Sequence, residues 1–145
     1  MATRLRFQPL AETDSTVHDV VVGKAVHRRD SPVVTTAFEA PVDLLVSVAA
    51  MLSLTNDGFV AARSVPLPGE VAASTTVGLR AFDAGSEVNT ELCAHVPCET
   101  HYQRKTEGAE GIVSEHAGIR GDADLPPSRG WAGPELGSMT ITRLR

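Results

Sequence analysis

The chain has 145 residues and a mass of 15.3 kDa, enough to bury a hydrophobic core as one domain over residues 1–145. Its formal net charge of −5 and its 4% of aromatic residues argue against nucleic acid as a partner, because there is no overall positive charge and there are few stacking platforms. A local basic strip of Arg4, Arg6, Arg143 and Arg145 stays open if the two terminal segments pair, although charges that keep edge strands from pairing are the favoured interpretation. No apolar segment follows Arg4 and Arg6, as a secretory signal would require, and the longest apolar run, residues 42–54, is too short to span a bilayer. We therefore expect a chain made in the cytoplasm without a signal peptide and without a membrane partner.

Three strands are predicted in the first forty residues. Residues 3–7 alternate between charged and apolar side chains, residues 17–27 place several valines on one face, and residues 33–38 follow a turn at 28–31. The second and third of these segments are predicted to form a hairpin.

A single helix is predicted over residues 41–55. Pro41 suits the first helical position, Asp43 suits the positive end of the helix dipole, and apolar side chains cover most of the remaining surface. Residues 56–58, Asn-Asp-Gly, tolerate the left-handed conformation that often ends a helix. The helix is therefore expected to be largely buried.

Further strands are predicted at 59–65, 71–81 and 87–96, the last two joined by a turn at 83–86. Residues 103–138 lose this periodicity and read as a long irregular arm, and residues 139–144 read as a closing strand. The predicted fold class is α+β with β-structure dominant: antiparallel sheets in a sandwich or barrel-like arrangement, one buried helix near 41–55 and an arm near 103–138.

Four residues that can bind a metal ion lie close together in the sequence: Cys93, His95, Cys98 and His101. Cys93 and His95 would project from the same face of the predicted strand, and a Cys-x-x-His turn after Pro97 would supply two more ligands for Zn²⁺. The order Cys-x-His then Cys-x-x-His also resembles the ligand pattern of Rieske [2Fe–2S] centres. In that family the two halves lie on separate loops, whereas only Val96 and Pro97 separate them here, so zinc is the better candidate.

The alternative for this segment is that both histidines are solvated and the cysteines pack as small side chains, which leaves the chain without a cofactor. We favour this alternative, because free cysteine usually behaves as a small hydrophobic residue. A disulfide between Cys93 and Cys98 is not expected, because Cys93 is placed in a strand and disulfide geometry is restrictive.

The sequence also resembles the hot-dog fold of acyl-thioester enzymes, in which a curved antiparallel sheet wraps a central helix. The resemblance rests on residues 59–96, with a Pro-Leu-Pro-Gly-Glu break between strands, and it implies a dimer. No residue matches the catalytic acid or histidine of that family. Elsewhere the sequence contains no G-x-S-x-G, Walker, G-x-G-x-x-G or H-E-x-x-H pattern, so catalytic residues are not assigned.

The leading interpretation is a non-enzymatic structural subunit, such as a viral capsid decoration protein or a tail or connector protein. Its expected partners are further copies of itself and other structural subunits, and its expected destination is a virion or another large assembly. A small Zn or Fe–S protein and a hot-dog-like enzyme remain as alternatives.

Overall fold

The computed structural model describes residues 14–25, 33–98, 101–131 and 135–145. It divides the chain into two compact units, Met1–Pro41 and Val42–Arg145. The described residues of the first unit form one turn and otherwise irregular chain, so the strands predicted within 17–25 and at 33–38 are wrong. The strand predicted at 3–7 and the turn predicted at 28–31 lie outside the described residues. The single domain over residues 1–145 stays a prediction.

The second unit is built on one antiparallel sheet of five strands: β1 (Leu45–Met51), β2 (Gly58–Pro66), β3 (Ser74–Asp83), β4 (Ser114–Glu115) and β5 (Glu135–Thr142). The strands β1, β2 and β3 are neighbours in that order, and the far edge of β3 is shared end to end by β5 and β4. A short 3₁₀ helix, Pro127–Arg129, precedes β5. The prediction of a β-dominant antiparallel fold is confirmed, whereas the described residues contain neither a second sheet nor a closed barrel.

The predicted helix over residues 41–55 is wrong, because this segment forms β1. The Asn-Asp-Gly sequence at 56–58 belongs to a turn between β1 and β2, closed by a hydrogen bond from the Leu52 N–H to the Gly58 carbonyl at 2.9 Å. The Thr55 hydroxyl accepts a second hydrogen bond from the Gly58 N–H at 3.0 Å. A short apolar run fits a helix or a strand equally well, and here the stiff side chains of Val46 and Val48 and this turn chemistry favour the strand.

The strands predicted at 59–65, 71–81 and 139–144 are confirmed in outline by β2, β3 and β5. The strand predicted at 87–96 is wrong, because residues 84–98 form turns and irregular chain. Its expected partner, β3, pairs instead with β2 on one edge and with β5 and β4 on the other. The arm predicted at 103–138 is mostly irregular, as expected, apart from β4, the 3₁₀ helix and the start of β5.

One face of the sheet is more buried than the other, and we call it the inner face. Paired residues share a face of an antiparallel sheet, and the inner face includes Ala81 and Ile141, which are 1% and 8% exposed. The opposite, outer face is polar along β3 and β5, where the Thr76 and Thr140 hydroxyls share a hydrogen bond at 2.9 Å. Towards β1 the outer face becomes apolar, with Phe59 and Phe82 stacked at a centroid distance of 5.6 Å.

Candidate functional site

The two cysteines of the candidate metal segment are joined in a disulfide. The Cα atoms of Cys93 and Cys98 lie 5.3 Å apart, inside the range that a disulfide accepts. Residues 92–96 form a tight turn, in which the N–H groups of His95 and Val96 both donate to the Leu92 carbonyl. The expectation that the cysteines stay unpaired is therefore wrong, because Cys93 lies in a turn rather than in an extended strand.

The histidines of that segment do not converge with the cysteines into a binding site. The His95 imidazole Nδ1 lies 3.0 Å from the Thr90 hydroxyl, and His101 is exposed to solvent. Among the described residues no group of three or more histidine, cysteine or acidic side chains is placed to hold a metal ion. Thiolates are the zinc-binding form of cysteine, so the site at Cys93, His95, Cys98 and His101 stays a prediction for the reduced chain.

One buried side chain that the sequence analysis did not single out, Glu91, joins two distant segments of the chain. Its carboxylate accepts hydrogen bonds from the backbone N–H groups of Arg120 and Gly121, at 2.7 and 2.8 Å. Its own backbone carbonyl accepts from the N–H groups of Asp124 and Leu125. Glu91 therefore fastens residues 120–125 of the predicted arm to the loop that follows β3, and the arm is part of the folded unit.

Backbone conformation and charge at Glu91 both reflect this role. Glu91 has φ of 53°, in the left-handed region that L-residues rarely adopt, so surrounding contacts must stabilise it. Burial acts to raise the pKa of its carboxyl group, but the hydrogen bonds from the N–H groups of residues 120–122 outweigh burial and lower that pKa. The carboxylate form is thus the one that the fold selects.

Three further acids hold the same loop. Asp57 Oδ2 accepts from the Ser86 N–H and hydroxyl and from the Glu87 N–H, at 2.6 to 2.9 Å. Asp83 Oδ1 accepts from the Gly85 N–H at 2.7 Å, and its Oδ2 accepts from the Asn89 amide. The Asp-x-Gly order at 83–85 is the signal that could have identified one of these bonds, because aspartate commonly accepts from the N–H two residues on.

Glu87 is the third of these acids. Its side chain is buried and is paired with the Arg104 guanidinium at 3.2 Å. Burial raises the pKa of Glu87, Arg104 partly opposes this, and the nearby Asp57 adds to it. Burial therefore disfavours the charged form of Glu87.

His116 lies beside Trp131, with ring centroids 5.1 Å apart, and its Nδ1 accepts a hydrogen bond from the Gly118 N–H at 2.9 Å. Burial lowers the pKa of His116, an effect that nearby carboxylates, Asp83 foremost, partly oppose. The neutral ring with a proton on Nε2 fits this hydrogen bond, because Nδ1 must carry a lone pair to accept it. His116 is thus a structural, uncharged side chain at neutral pH.

A cavity of about 270 Å³ opens next to His116 and is lined in part by Asn56, Glu91 and Arg120. Each of these polar side chains already has a partner in the structure. The Asn56 amide bonds to the backbone of Thr90 and His95, Glu91 holds residues 120–121, and the Arg120 guanidinium pairs with Asp122. These three side chains are thus engaged within the protein, whereas His116 Nε2, in the same cavity lining, is buried and has no hydrogen-bond partner among the described residues.

The clearest candidate for an interaction site is the edge of the sheet at β1. We define the edge-strand surface as the outer backbone edge of β1 together with the exposed apolar side chains of Val42, Leu45 and Met51. Leu45 and Met51 are 59% and 55% exposed, and no other strand in the described part of the chain pairs with this edge. An apolar edge strand with unpaired backbone groups is a template for pairing with another chain.

Comparison with known proteins leaves this geometry as the main guide to function. No family model, no curated protein and no solved structure matches the chain. Within the residues that the structure describes, no helix combines the length and the apolar character that crossing a membrane would need.

Proposed function

We propose that this chain is a non-enzymatic structural subunit that works through protein–protein contacts, as capsid decoration, tail and connector proteins do in a virion. The observation that carries the proposal is the edge-strand surface, where Leu45 and Met51 flank a strand without charged residues or proline. Such an edge favours aggregation unless a partner covers it, so a defined partner strand is the simplest physical reason for its presence.

The use of the acidic side chains supports the same proposal. Enzymes usually leave the acids and histidines of a cleft free to exchange protons with a substrate. Here the carboxylates of Asp57, Asp83 and Glu91 accept hydrogen bonds from backbone N–H groups. The His116 ring likewise accepts a hydrogen bond from the Gly118 N–H. These groups stabilise loops, which suits a subunit whose task is to keep its shape.

The hot-dog-like enzyme loses its central helix, because β1 lies within the segment 41–55 where that helix was expected. A small Zn or Fe–S protein is the remaining competitor, and it requires the reduced forms of Cys93 and Cys98.

Native mass spectrometry, compared with the denatured mass, tests the proposal. We expect the bare polypeptide mass in complexes of two or more chains, whose abundance rises with protein concentration. A monomer at every concentration would overturn the proposal. A stoichiometric excess of one zinc ion or one two-iron cluster per chain, measured without chelators and after reduction, would favour the metal protein instead.

A further inference from the structure

The outward backbone groups of β1 can be identified from its pairing with β2. The Leu52 N–H donates to the Gly58 carbonyl, so even-numbered residues of β1 bond to β2 and odd-numbered residues point away. The irregularity in this pair adds its extra residue to β2, near Ser64, so the alternation continues through β1. The N–H and C=O groups of this edge that pair with no other described strand therefore belong to Leu45, Ser47, Ala49 and Met51.

The two lateral edges of the sheet differ in how far they discourage pairing. The outer edge of β5 begins at Glu135, and its exposed side chains include Ser138, Thr140 and Thr142. Strand β1 reads Leu-Val-Ser-Val-Ala-Ala-Met, without a charge, a proline or an outward bulge. Charges, prolines and bulges are the usual means by which natural edge strands avoid pairing, and β1 has none of them.

We propose that β1 pairs antiparallel with β1 of a second copy of this chain, around a two-fold axis at Val48, to form a continuous ten-stranded sheet. This inference rests on the proposed function, because it names the partner of the edge-strand surface. A strand that meets itself across a two-fold axis is necessarily antiparallel, so the same residues serve both copies.

The axis at Val48 follows from two independent requirements. It sets Leu45 opposite Met51 of the second copy and Ser47 opposite Ala49 of the second copy. All four outward residues then exchange hydrogen bonds, about eight in total, whereas a shift of the axis by one residue leaves some of them unpaired. The same register places Leu45 and Met51, the two large apolar side chains that β1 exposes most, directly against each other across the interface.

Charge does not oppose pairing with a second copy. Because β1 carries no charged residue, self-pairing places no like charges opposite each other within the strand. Two seven-residue strands bury less surface than a standard interface, below about 1,200 Å², so the dimer should be reversible. We therefore expect a monomer–dimer equilibrium that responds to concentration between about 1 µM and about 1 mM.

The first test compares two substitutions at one outward position by sedimentation velocity over that concentration range. Ala49→Pro removes an N–H that only the second copy would use, and an edge strand tolerates proline on its solvent side. Ala49→Thr keeps that N–H and favours strand structure. Wild type and Ala49→Thr should dimerise, whereas Ala49→Pro should weaken dimerisation at least tenfold while keeping the wild-type circular dichroism spectrum.

The second test does not depend on how well the proline variant folds. Val48 lies opposite Val48 of the second copy, in a non-hydrogen-bonded pair whose Cα atoms approach closely enough for a disulfide. Val48→Cys should therefore form a covalent dimer on mild oxidation. Met51→Cys is the control, because the two copies of residue 51 lie at opposite ends of the paired strands and should stay unlinked.

The outcomes separate this inference from the proposed function. Self-association that Ala49→Pro leaves unchanged, without linkage of Val48→Cys, would overturn β1 pairing and leave a structural subunit that assembles through another surface. A wild-type chain that stays monomeric over the whole range would overturn both. Linkage of Met51→Cys as efficiently as Val48→Cys would refute the register.

Discussion

Replacing Glu91 with glutamine should weaken the folded state more than any exposed acid-to-amide change. The Glu91 carboxylate receives the N–H groups of Arg120 and Gly121 at 2.7 and 2.8 Å, one on each oxygen. Glutamine keeps one acceptor oxygen but sets its NH₂ group against the other N–H. The variant therefore loses one hydrogen bond and the ionic character of the second, with little change in volume.

The expected magnitude follows from these two bonds. A hydrogen bond to a charged group contributes about 1.5–3 kcal/mol, and a neutral one about 1 kcal/mol. Losing one charged bond and neutralising the other should lower the free energy of unfolding by about 2–5 kcal/mol. Glu91→Ala should cost at least as much, because it also removes side-chain contacts that hold the left-handed backbone in place.

Urea unfolding at neutral pH measures this difference, with Glu107→Gln as the matched control. Glu107 is exposed, so its substitution should change stability by less than about 0.5 kcal/mol. A Glu91→Gln variant as stable as the control would refute the view that this carboxylate fastens residues 120–125.

The pH dependence gives a second check on Glu91. Because the pKa of Glu91 is lowered in the folded state, its contribution is present above the ordinary glutamate pKa of about 4.3 and is lost as the pH falls through the folded pKa. Glu87 has a raised pKa and contributes with the opposite sign, but it is present in both proteins. The stability difference between wild type and Glu91→Gln should therefore shrink below about pH 4.

Three further predictions follow from other contacts. Gly58→Ala should destabilise the fold by about 1–3 kcal/mol in urea unfolding, because a Cβ there would lie 2.8 Å from His116 Cδ2. Gly137→Ala is the control and should change stability by less than about 1 kcal/mol, because no atom lies within 4 Å of the added Cβ. Reduction of the Cys93–Cys98 disulfide should lower the free energy of unfolding by about 2 kcal/mol, as expected for a disulfide that closes so short a loop. A Cys93→Ser/Cys98→Ser variant should show no response to reductant in the same assay. Because the pKa of His116 is lowered in the folded state, stability should begin to fall as the pH drops below about 6.5. The His116→Gln variant should lose that part of the pH profile in thermal unfolding, and a profile unchanged from wild type would contradict a buried neutral ring.

The contrast between β3 and the segment at 87–96 shows how far alternation alone can predict the sheet. Both segments alternate apolar and polar residues, and only β3 becomes a strand. Alternation says which side chains can share a face, but it does not say which partner supplies the hydrogen bonds. The edge of β3 is taken by β5 and β4, while Glu91 uses its carboxylate for distant backbone N–H groups and adopts a left-handed conformation.

The segment at 41–55 shows a different limit. Its apolar residues cover nearly all sides, a pattern that predicts a buried helix, and the same composition suits a strand with apolar residues on both faces. The turn at 56–58 was located correctly but assigned to the wrong element, because left-handed residues end helices and also join strands.

By itself the sequence determined that the chain is β-dominant, where β2, β3 and β5 lie, and that turn residues separate them, because these features depend on local periodicity and on glycine, proline, asparagine and aspartate. Tertiary structure alone decided that β1 lies at the edge of the sheet, that Cys93 and Cys98 meet, and that Glu91 reaches residues 120–121. Each of these features depends on which backbone groups are already hydrogen-bonded to other segments, and that is decided only when the whole unit folds.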